Sequence, residues 1–182
     1  MSDRPIKAKR ATISICRNVQ LEALEMPNGE FRLSLTSAAE AAGFTRQWLS
    51  LVTTARRPET VKALEGKGFR RQHIQQTPIE KKGRGGASSV KSISLNDFDA
   101  ILDYGVEQKN SKAIALNRAL RRVTLVDLIR TEFGYGPMTV EEKRAIFYKT
   151  YAASLSYEDW LDMDREDVRM IEEQLRFVGE LD

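Results

Sequence analysis

Two residue types are nearly missing from this 182-residue chain: it has one cysteine and one histidine. A lone Cys16 excludes an intrachain disulfide framework and suits a reducing cytoplasm. One thiol and one imidazole also exclude a His/Cys zinc site within the chain. No apolar run reaches bilayer-spanning length, so no membrane partner is expected. The opening "MSDRPIKAKRATISIC" has basic residues but neither an apolar core nor a small-residue cleavage site, and it reads as no signal peptide. There is no internal repeat. No exposed aromatic motif for base stacking stands out, which counts against an RNA binder. Aspartate is scarce early, since Asp3 is the only one before Asp97. That scarcity bears on a nuclease reading below.

Enough apolar residues are present, 41%, to build a real core. The length fits one domain, or a small domain with a helical appendage. Charge is distributed unevenly. Residues 1–91 hold 17 Lys and Arg against 8 Asp and Glu, a net of +9; residues 92–182 hold 12 against 18, a net of −6. A split of this kind points to a basic face meeting a polyanion and an acidic part with another task, although uneven surface charge alone is the plainer account.

Along the chain, residues 1–11 read as a flexible basic arm. "VQLEALEMPNGEFRLSL" alternates around Pro27-Asn28-Gly29, a hairpin signal that predicts a type I′ turn. Val19, Leu21 and Ala23 would face one way, with Phe31, Leu33 and Leu35 supplying the apolar face of the return strand. Ser37 and Glu40 stand in capping-box spacing. Thr45 is placed to cap a second helix through about Thr53, and Pro58 to open a third ending near Gly66 and Gly68. Two strands, roughly 71–79 and 90–95, are expected to flank a basic glycine-rich loop at 81–89. Ser94 with Asp97 caps a further helix, and Asn110 or Ser111 caps the long one after it, with Gly134 at its C′ position. Ile114, Leu116, Leu120, Val123, Leu125, Leu128 and Ile129 give that long helix an apolar stripe wider than one neighbour needs. Helices are expected over about 139–152, over "YEDWLDM" with Ser156 capping through Asp159, and over 165–178. The segment 139–182 carries 6 basic and 12 acidic residues.

The densest constellation is "TSAAEAAGFTRQWLSLV", from Thr36 to Val52. A helix-turn-helix needs a small residue where its helices cross and a turn residue tolerant of positive φ. Gly43 meets the second need and Ala39, four residues earlier, the first. Ala38 and Ala42 would be buried, Phe44 would plug beneath the turn, and Leu49 and Val52 would seat the second helix. Arg46, Gln47 and Ser50 would then face outward as base-reading groups, because Arg pairs with guanine and Gln with adenine in the major groove. Thr45, Arg56 and Arg57 would hold phosphates. Trp48 either packs beside Leu49 and Phe44, the favoured reading, or touches base or sugar. The stretch over residues 35–54 resembles the helix-turn-helix of bacterial and phage transcription regulators. With hairpins on both sides it is also loosely similar to the DNA-binding modules of phage antirepressor proteins. That resemblance implies double-stranded DNA as partner and transcription regulation, such as repression.

The loop at 81–89 could be a wing, with Lys81, Lys82 and Arg84 on phosphates, or a solvated surface loop. It is no nucleotide cradle, because its lysines precede the glycines. Lys7, Lys9 and Arg10 of the arm could enter an adjacent groove. His73 sits among polar residues with no acid partner in view and reads as structural or surface. Glu80 and Lys82 have the Glu-x-Lys spacing of metal nucleases, but the upstream aspartate is missing, so no enzyme is expected. Asp162, Asp164, Glu166 and Asp167 lack the glycine and terminal glutamate of a calcium loop, and no cofactor or metal is expected.

The sequence therefore predicts an α+β, mostly helical protein. Its expected parts are the arm at 1–11, a basic helix-turn-helix domain with β-hairpins at 12–95, a helical core and dimerisation segment at 96–134, and an acidic helical segment at 135–182. The expected function is sequence-specific DNA binding as a homodimer in the cytoplasm, at the nucleoid when bound. The rivals are an antirepressor-like protein-interaction module using the acidic C-terminal helices, an RNA binder and a metal-dependent nuclease. Phe147, Tyr148, Tyr151, Leu155, Tyr157 and Trp160 give the last segment apolar surface for packing on 111–132 or for a homodimer.

Overall fold

The computed structural model describes residues 7–16, 19–79, 89–156 and 158–159. The protein is α+β. It divides into two compact units, residues 1–14 with 19–104, and residues 15–18 with 105–182.

The first unit is built on a five-stranded antiparallel sheet of order β1-β2-β3-β5-β4. Its strands are β1 (Lys9–Cys16), β2 (Val19–Glu25), β3 (Phe31–Ser34), β4 (Gln75–Pro78) and β5 (Ser89–Ser94). The sheet curls until its two edges meet: the Ala8 N–H donates to the Pro78 carbonyl (3.0 Å), and Ala8 bridges Ile79 in parallel. Ala8, Leu24 and Ile79 fill the inside of the curl with Met26 and Val90 against them. The other face carries the row Ala23, Leu33 and Ile93. Helix α1 (Leu35–Ala41) lies against β2, β3 and β5. Both faces are thus covered, which alternation alone did not reveal.

That double coverage corrects the expected strand faces. Phe31 is exposed and Leu35 already belongs to α1, while Arg32, Leu33 and Ser34 are buried. The buried Arg32 guanidinium is satisfied: it donates to Ser92 Oγ (3.0 Å), to the His73 carbonyl (2.5 Å) and to Glu30 (2.9 Å). A buried charge without such partners would be expelled or neutralised. The arm expectation is corrected as well. Ala8 is buried and Lys9 opens β1, because Lys9 and Arg10 pair with Glu25 and Glu22 of β2. Residues 1–6 lie outside the described residues.

The β2–β3 turn is a hairpin, but not type I′. Among the described residues, Asn28 is absent from those with positive φ, whereas Gly29 has φ +82°. Pro27 fixes its own φ near −65°, which suits the first corner of a type I turn and forbids the primed one. Gly29 then takes the left-handed position of a three-residue loop, closed by Met26 N–H to the Glu30 carbonyl (2.8 Å).

The second unit contains α5 (Ser111–Glu132) and α6 (Val140–Ala152), which pack together as a hairpin. Asn110 caps α5 through Oδ1, and Thr139 with Glu142 forms a capping box at α6. Ala115, Leu116 and Ala119 on α5 and Ala145, Tyr148 and Tyr151 on α6 are buried. Asp127 ties the hairpin together, accepting from the Met138 N–H and from Lys143, both at 2.8 Å. The expected helix at 165–178, together with Trp160, lies outside the described residues.

Candidate nucleic-acid interface

The site begins with how two short helices meet. α1 ends on Ala42, after which Gly43 adopts φ +79°. The Phe44 N–H then reaches back to the Ala39 carbonyl (2.9 Å) and the Gly43 N–H to the Glu40 carbonyl (3.0 Å). This pair of bonds is a Schellman end, and its left-handed residue is at no cost only when it is glycine. Ala38, Ala39, Ala41 and Ala42 are all buried, so the backbone of α1 can be approached closely. α2 (Arg46–Thr53) follows, and α3 (Pro58–Gly66) packs on it in turn.

Thr45 caps α2, its Oγ1 accepting from the Trp48 N–H (3.2 Å). The Ser37–Glu40 capping box does not form. α1 starts three residues earlier than that reading, at Leu35 with Ser34 as N-cap, which puts Ser37 inside the helix. Ser37 Oγ instead accepts from the Glu22 N–H (2.9 Å) and fastens α1 to β2.

Helix α2 has two distinct faces. Leu49 and Val52 are buried; Arg46, Gln47, Ser50 and Thr54 are exposed. Arg46 Nε contacts Glu40 at 2.9 Å, with 82% of its side chain in solvent. Arg56 and Arg57 are exposed just beyond the helix end. Trp48 is half-buried and not a core residue. It stacks on Phe44 (ring centroids 4.0 Å apart, planes 14° apart), and Tyr104 stands 6.0 Å from it. An open groove of ≈ 330 Å³ beside this stack is lined by Thr45, Gln47, Trp48, Leu51 and Arg57 among others. The aromatic trio was missed in the sequence because Tyr104 lies 56 residues after Trp48, on α4 (Leu95–Glu107).

Lys7 is exposed. Lys9 and Arg10 have their charges opposed by Glu25 and Glu22. Lys81, Lys82 and Arg84, with Glu80, lie outside the described residues, as do Asp162, Asp164, Glu166 and Asp167.

His73 does have an acid beside it: its Nδ1 is 3.7 Å from Asp97 Oδ2. That carboxylate is buried and already engaged, accepting from the Arg70 N–H (2.8 Å) and the Ser94 hydroxyl (2.6 Å). The Asp97 N–H in turn donates to Ser94 Oγ (3.1 Å), which makes the expected cap of α4. Among the described residues, no three His, Cys, Asp or Glu side chains come together as metal ligands. Nor is any described helix long and apolar enough to cross a membrane. Comparison with protein-family models, with curated proteins and with solved structures finds no match.

Proposed function

We propose that this chain is a sequence-specific double-stranded DNA-binding protein, a transcriptional regulator that lays α2 in the major groove. The observation that carries this reading is the division of α2: Leu49 and Val52 seat the helix while Arg46, Gln47 and Ser50 stand in solvent along its other side. Arg and Gln have the fork geometries that match guanine O6/N7 and adenine N6/N7. Thr45 at the N-terminus of α2 and Arg56 and Arg57 beyond its C-terminus suit the flanking phosphates. Lys7 adds an exposed cation to the same unit, whereas Lys9 and Arg10 would have to give up Glu25 and Glu22. Contacts from Lys81, Lys82 and Arg84 on a wing belong to the same reading.

The experiment is a titration of the intact protein against a random-sequence duplex at rising salt. Binding at low salt should weaken with a log–log slope of magnitude about 5, given Lys7, Arg56, Arg57, Lys81, Lys82 and Arg84 as phosphate partners. Replacing Arg56 and Arg57 with alanine should flatten the slope by about 2. Absence of binding at low salt contradicts the proposal. It would favour the second reading, a protein-interaction module, which is motivated by the exposed Leu125, Leu128 and Ile129 on α5.

A further inference from the structure

Helix α5 packs one side against α6, and its opposite side stands in solvent. Leu125 is 51% exposed, Leu128 60% and Ile129 47%. Residues 118, 121, 125, 128 and 132 follow alternating steps of three and four, the spacing that keeps side chains on one seam of a helix. They are Arg118, Arg121, Leu125, Leu128 and Glu132, and all five are exposed. The seam is therefore apolar at its centre, basic toward its N-terminal end and acidic toward its C-terminal end. Among the described residues, neither Arg118 nor Glu132 makes an ion pair.

Such a seam is complementary to itself when reversed. Placed antiparallel with Leu125 on the twofold axis, position 118 of one helix faces position 132 of the other, because each lies seven residues from the axis. Arg118 then meets Glu132 of the second copy twice over, and Arg121 flanks the same pair. A parallel pairing would set Arg118 against Arg118 and Glu132 against Glu132, which repels. An apolar patch with oppositely charged ends of equal offset is the arrangement that an isologous interface requires.

We propose that the partner for this face is a second copy of the same chain, with two α5 helices packed antiparallel about Leu125. The proposal stands apart from DNA binding and is read without DNA.

The test is sedimentation equilibrium of the full chain over a range of concentrations, with circular dichroism to establish that each variant keeps its helix. The wild-type chain should form a dimer. Leu125→Lys places two cations on the axis and should leave only monomer. Arg118→Glu or Glu132→Arg alone should raise the dimer Kd about tenfold, since each change turns two attractions into two repulsions. The double variant R118E/E132R should return to within about threefold of wild type, because the pairs re-form with their signs exchanged. Positions 118 and 132 lie about 21 Å apart along one helix, so no contact within a chain explains such a rescue. A wild-type monomer at all concentrations overturns the proposal. So does a dimer indifferent to Leu125→Lys, or a double variant as weak as the single ones.

Discussion

Arg46 is held to Glu40 by one contact of 2.9 Å, on a surface where 82% of the Arg46 side chain and 46% of the Glu40 side chain are in water. Exposed pairs of this kind are worth at most about 1 kcal/mol, so the guanidinium exchanges partners readily. If Arg46 reads a base, Glu40 both competes for it and repels the phosphates. Glu40→Ala should then tighten duplex binding about threefold, by removing a contact of that strength. Unchanged or weaker affinity by fluorescence anisotropy counts against a role for Arg46. A second residue-scale prediction concerns Asp127. Hydrogen bonds from Lys143 and from the Met138 backbone, with the Lys143 and Arg130 charges, hold its carboxyl below the ordinary value of 3.8. A depressed acid stabilises the fold above its unfolded pKa, and that stability disappears as pH falls through the folded one. Asp127→Asn should therefore lower Tm at pH 7, and the gap to wild type should close as the pH drops below 3.8. A gap that is constant with pH would mean that the carboxylate charge is irrelevant to the hairpin.

The helix ends account for most of what could be read in advance. Helices α1 to α5 all finish with the same pair of back-bonds to a residue of positive φ: Gly43, Ala55, Gly68, Lys109 and Gly134. Three of those five are glycines and were visible as stops. Ala55 (φ +55°) and Lys109 (φ +57°) carry no such signal, because neither residue type favours the left-handed region. Ala55 occupies a conformation that costs an L-residue roughly 1–2 kcal/mol, partly offset by glycine's greater chain entropy. Ala55→Gly should thus stabilise the first unit by up to about 1 kcal/mol, read as a higher urea midpoint at unchanged m-value. A lower midpoint would mean that the strain is relieved elsewhere. Local caps at Thr45, Asn110, Ser94–Asp97 and Ser156–Asp159 were legible for the same reason: donor and acceptor lie within three residues. What could not be read was non-local. The edge closure of Ala8 on Ile79, the burial of Arg32 and the Phe44–Trp48–Tyr104 stack join residues tens of positions apart. The β2–β3 turn departs from its Asn-Gly signal although it is local, because Pro27 fixes its own φ.

Over the whole molecule, the charge split softens when counted by structure. The first unit holds 16 basic and 11 acidic residues, and the second 13 and 15. The net charges are +5 and −2 in place of +9 and −6, since Asp97, Asp99 and Asp103 belong with the sheet and Arg17 is counted with the second unit. One of those, Asp97, is buried as a cap and adds nothing to the surface. The general field is thus weaker than the halves of the sequence imply, and the DNA reading leans more on the side chains of α2 than on bulk charge. Any α5-mediated dimer would also carry two copies of α2 related by a twofold axis, which predicts a palindromic preference in the selected sites. The most direct measurement is selection from a random duplex pool by the intact protein, followed by binding of R46A/Q47A to the best site and to a scrambled one. The account predicts that wild type prefers the selected site and that the variant, folded by circular dichroism, binds both duplexes alike. A variant that keeps the preference would contradict it.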